Sequence, residues 1–139
     1  MKEPRYRYKV SLAITHPTIS AARIGEVLRM EPDHSGSFGG ARLTPKSKSL
    51  PGTYKESFWC RSLVVPNDDE LEQFLASTVE QLEQCSQFFT DLKADGGTAR
   101  FFVGLFLEQE NIGIEISPEL QGRCSRLGLS LGFDIYGPD

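Results

Sequence analysis

In residues 8 to 14, YKVSLAI, apolar positions alternate with polar or small ones before Thr15, His16 and Pro17. That period of two, ended by a proline, predicts a half-buried strand. Thr18 or Ser20 can then cap a helix running to Met30, with Ile24, Val27 and Leu28 on one buried face. Residues 33 to 56 hold six glycines and prolines and no sustained period, so a long surface loop is expected there. The aromatic and β-branched run SFWCRSLVV, 57 to 65, predicts a second, central strand bounded by Pro66.

The strongest periodic signal follows. Leu71, Phe74, Leu75, Thr78, Leu82, Cys85, Phe89 and Leu92 step by three and four, predicting one long amphipathic helix. Asn67 or Asp68 would cap it, the acidic residues 68 to 70 would fill its first turn, and Gly96-Gly97 would stop it. ARFFVGLFL, 99 to 107, is apolar on both faces and is expected to be an interior strand. IGIEI, 112 to 116, is expected to pair back on it as a hairpin. Ser117-Pro118-Glu119 opens another helix, with Leu120, Cys124 and Leu127 buried and Gly128 ending it. LSLGFDIY, 129 to 136, alternates as the last strand.

The order β-α-β-α-β-β-α-β predicts an α+β two-layer sandwich. One mixed or antiparallel sheet of about five strands carries its helices on one side, in a single domain spanning residues 1–139. Ile19-Ser20 to Gly25 and Ile116-Ser117 to Gly122 share an I-S-x-x-x-x-G frame, which suggests two related halves.

The chain also resembles a known family over nearly its whole length. The features that carry the resemblance are a strand, a short helix ending in Leu28-x-x-x-Pro32, a Gly-rich loop, an aromatic-Trp strand and a long helix. The closing segment runs from Ser117-Pro118-Glu119-Leu120 through Leu127-Gly128 to Asp134-Ile135-Tyr136. It is similar to the bacterial family catalogued as domain of unknown function 4279, with Arg29 standing where that pattern has a glycine. The resemblance implies a fold and no established activity.

Composition narrows the classes. At 39% apolar and 24% charged, the 139 residues have an ordinary globular balance. No apolar run approaches the roughly 20 residues of a membrane span, and MKEPRYRYKV has no apolar segment behind its charges, so no secretory leader is expected. Cysteines 60, 85 and 124 are odd in number, far apart and outside any C-x-x-C pair. They point to reduced thiols in a cytoplasm rather than to disulfides or zinc. The net charge is −4, unevenly spread. Residues 1 to 61 hold eleven Lys and Arg against five Asp and Glu, and residues 62 to 139 hold four against fourteen. Such a split can mark an acidic partner or nucleic acid, mutual attraction of two halves, or a guarded sheet edge.

HSGSFGG, 34 to 40, is the most motif-like stretch, but it fits neither G-x-x-x-x-G-K-[ST] nor G-x-G-x-x-G, and it follows a helix instead of opening one. Backbone anion binding would be its residual role. His16 and His34 lack the spacing of a zinc site; His34 beside Asp33 could form a loose acid–base pair, and Cys60 would need His16 as its base to act as a nucleophile. Cys85 and Cys124 fall on apolar stripes. Glu108, Glu110 and Glu115 surround a turn and could chelate a hard cation. No cofactor is implied. Arg42, Lys46, Lys48 and Lys55, with Tyr54 and Trp59 as aromatic anchors, form the best candidate binding surface. The function expected is a non-enzymatic binding or interaction module for an acidic protein surface. The alternatives are a small-molecule binder or enzyme with its site between sheet and loop, and nucleic-acid binding through the basic loop. The sequence pI of about 5.2 weighs against nucleic acid, and homo-oligomerisation is left open.

Overall fold

The alternation seen at residues 8 to 14 extends in both directions, giving the eleven-residue strand β1 (Tyr6–His16) in the computed structural model, which describes residues 3–139. After it come α1 (Ala21–Leu28), β2 (His34–Gly36), β3 (Ala41–Leu43), β4 (Ser49–Thr53) and β5 (Ser57–Ser62). Next are α2 (Leu71–Glu83), α3 (Ser86–Ala94), β6 (Thr98–Leu107), α4 (Pro118–Arg126) and β7 (Leu129–Tyr136). The main sheet has five strands in the order β2-β5-β1-β6-β7, and β3-β4 form a separate two-stranded ribbon. β1 is antiparallel to both β5 and β6, while β7 runs parallel to β6 after the α4 crossover. This is the α+β arrangement with a mixed five-stranded sheet that the patterning predicts.

One face of the sheet is the core. Tyr6, Tyr8, Val10, Leu12, Ile14 and His16 of β1 are all buried, as are Ala99, Phe101, Val103 and Leu105 of β6. They pack with Ile24 and Leu28 of α1, Leu71, Leu75, Val79 and Leu82 of α2, Phe89 and Leu92 of α3, and Leu120 and Cys124 of α4. At about 25 cal/mol per Å² of apolar area removed from water, this layer is the main source of stability.

Helix starts follow the serines. Ser20 and Ser117 each adopt extended backbone and accept the N–H three residues on, Arg23 at 3.1 Å and Leu120 at 3.2 Å. The shared I-S frame is thus a repeated cap. The strands around it differ in sense, antiparallel for β1 and β5 but parallel for β6 and β7. At the other end of α1, Arg29 sits in the left-handed region at φ 57°, a conformation glycine adopts without strain.

Four local expectations are corrected. The long helix divides at Gln84 and Cys85, where bonds tighten to i→i+3 (Gln84 N–H to Gln81 O, 3.2 Å; Cys85 N–H to Leu82 O, 2.9 Å). Its start carries no side-chain cap on Glu70, because Asp68 accepts the Tyr8 hydroxyl at 2.9 Å and the Glu70 N–H two residues on. Residues 112–116 form no strand: β1 and β7 occupy both edges of β6, so Ile112, Ile114 and Ile116 cover the core instead of extending the sheet. The fifth strand is β2, from within the expected loop 33–56, which also contains β3 and β4.

Carboxylates join the helices. Glu83 takes a bidentate pair from Arg123 (3.1 and 2.6 Å), and Glu72 accepts the Ser117 N–H at 2.6 Å. The side-chain hydrogen bond from Arg123 holds Glu83 below its ordinary pKa, and hydrogen bonding by Ser117 does the same for Glu72. A lowered folded-state pKa gives stability that is present above the ordinary carboxylate pKa and is lost as pH falls through the folded value. Glu72→Gln and Glu83→Gln should therefore lose less stability than wild type below about pH 4.5, in urea melts at stepped pH. A Cβ at Gly97 would lie 2.5 Å from Leu92 Cδ1 and 2.6 Å from the Thr15 carbonyl. Gly97→Ala should cost about 1–3 kcal/mol in the same melts, whereas Arg29→Gly should gain about 1 kcal/mol by relieving the left-handed backbone.

Candidate functional site

Because side chains alternate along a strand, covering one face of the sheet turns the other toward water. On this open face the register sets residues in rows across the strands. Arg7 lies beside Phe106 and Tyr136, Lys9 beside Gly104 and Asp134, and Ser11 beside Phe102 and Gly132. The next row joins Ala13, Arg100 and Ser130 to Cys60 and, beyond it, His34.

Glycine shapes this surface. A Cβ at Gly104 would meet the Phe106 ring at 3.4 Å and one at Gly132 would meet Phe102 at 3.5 Å, so each ring lies against a strand position without a side chain. Phe106 stacks on Tyr136 at 5.1 Å and 9°. The Lys9 ammonium stands 5.7 Å from the Phe106 centroid and the Arg100 guanidinium 5.5 Å from Phe102, within the range of cation–π attraction. Beside this face, Arg7, Lys9, Val65, Pro66, Asn67 and Phe106 line a hollow of about 420 Å³. This surface was not anticipated. The run 99 to 107 suggests burial on both faces, yet Phe102 is 37% exposed; the available signal was Arg100, Phe102, Gly104 and Phe106 in period two.

The basic residues of the expected loop gather on the β3-β4 arm. Arg42 is in β3, Lys46 and Lys48 flank the turn at Ser47, and Lys55 follows β4; all four are exposed. Among the described residues none of them forms an ion pair with a carboxylate. Tyr54 fixes the arm to the sheet. Its hydroxyl accepts the Leu43 N–H at 3.1 Å, and its ring packs edge-on against Phe58 at 5.1 Å. Both rings occupy the space a Cβ would need at Gly36. Trp59 is a correction: it is fully buried on the helix side of β5, because its strand position falls in phase with Ser57 and the core, and it cannot serve as a surface anchor.

The glycine-rich stretch 34 to 40 has little left to offer an anion. The Phe38 N–H donates to Ser57 Oγ (2.8 Å), Gly39 N–H to the Tyr54 carbonyl (2.9 Å) and Gly40 N–H to the Ser37 carbonyl (2.9 Å). Ser37 Oγ accepts the Ala21 N–H at the start of α1. The segment joins α1 to the arm.

His16 and Cys60 lie on opposite faces of the sheet and cannot act together. His16 is buried on the helix side, where Nδ1 accepts the Thr18 and Ile19 N–H groups at 2.9 Å each. That leaves Nε2 to donate to Asp95 at 3.0 Å, so the tautomer is fixed by its structural partners. Cys60 is instead directly opposite His34 on the open face. Asp33 is committed to the Ser62 N–H at 2.6 Å, and Cys85 Sγ donates to the Val27 carbonyl. Glu108 pairs with Arg7 at 2.8 Å; among the described residues no three His, Cys, Asp or Glu side chains are grouped to hold a metal ion.

Burial first, and the Asp33 charge second, raise the Cys60 thiol above its ordinary pKa, with Arg100 acting in the opposite sense. A raised pKa means less thiolate at neutral pH. Cys60 should therefore alkylate more slowly than a free thiol at about pH 8, with its pH–rate midpoint displaced upward. Mass-spectrometric iodoacetamide kinetics would detect this, and faster labelling than a model thiol would reverse the assignment.

No curated protein and no solved structure matches the chain. A family model does, over residues 6–138 and so over every helix and strand described above: the chain belongs to the family described as Domain of unknown function (DUF4279).

Proposed function

We propose that this chain is a non-enzymatic bacterial, cytoplasmic binding module. Its β3-β4 arm engages an acidic protein surface through Arg42, Lys46, Lys48 and Lys55. One observation carries this reading. The four cations are exposed on one arm, and among the described residues none has a carboxylate partner, while acidic residues such as Glu72, Glu80, Glu83, Asp91 and Glu119 lie on the helices. Intrachain attraction therefore leaves the arm's charge unused. Tyr54 anchors the arm through its packing on Phe58. An acidic surface would be drawn to the arm by long-range attraction, since complementary charge steers encounter and arginine is among the residues that supply much of the binding energy in protein interfaces.

The test compares wild type with the quadruple Arg42→Glu, Lys46→Glu, Lys48→Glu, Lys55→Glu variant, whose changes are all at exposed positions. Two labelled probes are titrated by fluorescence anisotropy, a glutamate-rich peptide and a mixed-sequence single-stranded oligonucleotide of equal charge. Wild type should bind the peptide, and the variant should bind it at least about tenfold more weakly. Equal peptide binding by both proteins would overturn the assignment to the arm. Tighter oligonucleotide binding with a steep salt dependence would replace the protein partner with nucleic acid.

A further inference from the structure

The two edges of the sheet are unlike. The β2 edge is three residues long and lies next to the anchored arm. The β7 edge runs for eight residues, Leu129–Tyr136, with no lysine, no proline and one charge, Asp134. Apart from its ladder with β6, it makes no backbone hydrogen bond with any described residue. Natural edges of this length are commonly guarded by a bulge, a proline or an inward charge, because the free N–H and C=O row is a template for another strand. The core also stops short here. On the helix side Val103 and Leu105 of β6 are buried, yet their β7 neighbours Phe133 and Ile135 are 39% and 64% exposed. On the open face Tyr136 is 51% exposed.

We infer that a second copy of this chain covers this edge, with β7 pairing antiparallel to the partner's β7 about a two-fold axis at Phe133. In that register Phe133 faces the partner's Phe133, and Leu131 faces the partner's Ile135. Gly132 faces the partner's Asp134, and Ser130 the partner's Tyr136. The exposed apolar positions close on one another, and the acidic residues are kept apart. Centring the axis on Asp134 would set like charges directly opposite, which destabilises a strand pair. Centring it on Gly132 would place two residues without side chains at the axis. The exposed parts of Phe133, Ile135 and Tyr136 amount to about 300 Å² per copy, taking about 200 Å² for each side chain. With the paired backbone, the two copies together bury about 1,000 Å², the lower end of specific interfaces, so dissociation on the order of micromolar is expected. A two-fold axis through an antiparallel pair stands perpendicular to the sheet. All the helices therefore stay on one side, the open faces merge, and the two basic arms lie at opposite ends of ten strands, roughly 43 Å apart at about 4.8 Å per strand.

The experiment is light scattering coupled to size exclusion over about 1–200 μM, on wild type and on Ile135→Lys, a change at an exposed position. Wild type should pass from monomer to dimer mass across that range. Ile135→Lys should dissociate about a hundredfold more readily, since the symmetric pair loses two buried isoleucines. Single cysteines test the register in otherwise wild-type protein: Phe133→Cys should form an oxidised dimer, and Ile135→Cys, which faces the partner's Leu131, should not. Monomer mass for wild type at every concentration would overturn the proposal. So would cross-linking of Ile135→Cys in preference to Phe133→Cys, or a dimer that Ile135→Lys leaves unchanged while circular dichroism shows it folded.

Discussion

The packing of β1 beneath the helices is the constraint from which the rest of the molecule follows. Six of its eleven side chains, from Tyr6 to His16, are buried on one face, and it forms antiparallel ladders on both sides. A shift of either ladder by one residue would turn that buried set into water. The burial of one face therefore fixes the register of β5 and β6, and that register decides which residues share the other face. Phe102, Arg100 and Phe106 face solvent because Phe101, Val103 and Leu105 do not. His16 extends the same control beyond the strand: its ring fixes the backbone of Thr18 and Ile19 before α1 and joins it to Asp95 after α3.

The uneven charge along the chain becomes an uneven charge across it. Five of the later acidic residues lie on the helices, Glu72, Glu80, Glu83, Asp91 and Glu119, while four of the earlier basic ones lie on the arm and two more, Arg7 and Lys9, on the open face. Among the described residues only a few pairs bridge the two halves of the chain, Arg5 with Asp69 at 3.0 Å and Arg7 with Glu108 at 2.8 Å among them. Exposed pairs of this kind contribute little to stability. The separation of charge is better understood as a property presented to other molecules than as something holding the fold together.

Much of this was legible in the sequence, and what was missed has physical causes. The serine caps, the paired period-two strands and the stripe from Leu71 to Leu92 are local signals; the first two produced elements where they were expected, and the stripe produced two helices, α2 and α3, where one was expected. Residues 112–116 carry the same alternation as a strand, but pairing is decided by whether a neighbouring edge is free, and β6 had none. Trp59 looked like an anchor because residue type does not reveal which face of a strand it occupies; its phase relative to Ser57 and Leu12 does. Cys60 and His16 invited pairing by chemistry alone, and opposite parity on the sheet separated them. The open aromatic face was hidden for a related reason. An apolar run does not say that one of its faces is left bare.

The missing side chain of Gly36 makes room for the contact between Tyr54 and Phe58. Two-stranded ribbons are marginal structures in isolation, and the β3-β4 arm has few other attachments: the Tyr54 ring against Phe58 above Gly36, and main-chain bonds between Tyr54 and residues 39 and 40. The conformational freedom of about a dozen residues is thus restrained at the joint around Tyr54. Ordering each residue at the moment of encounter would otherwise cost on the order of 1–2 kcal/mol. The joint therefore works entropically: it sets how much of the arm's shape exists before anything arrives to meet it.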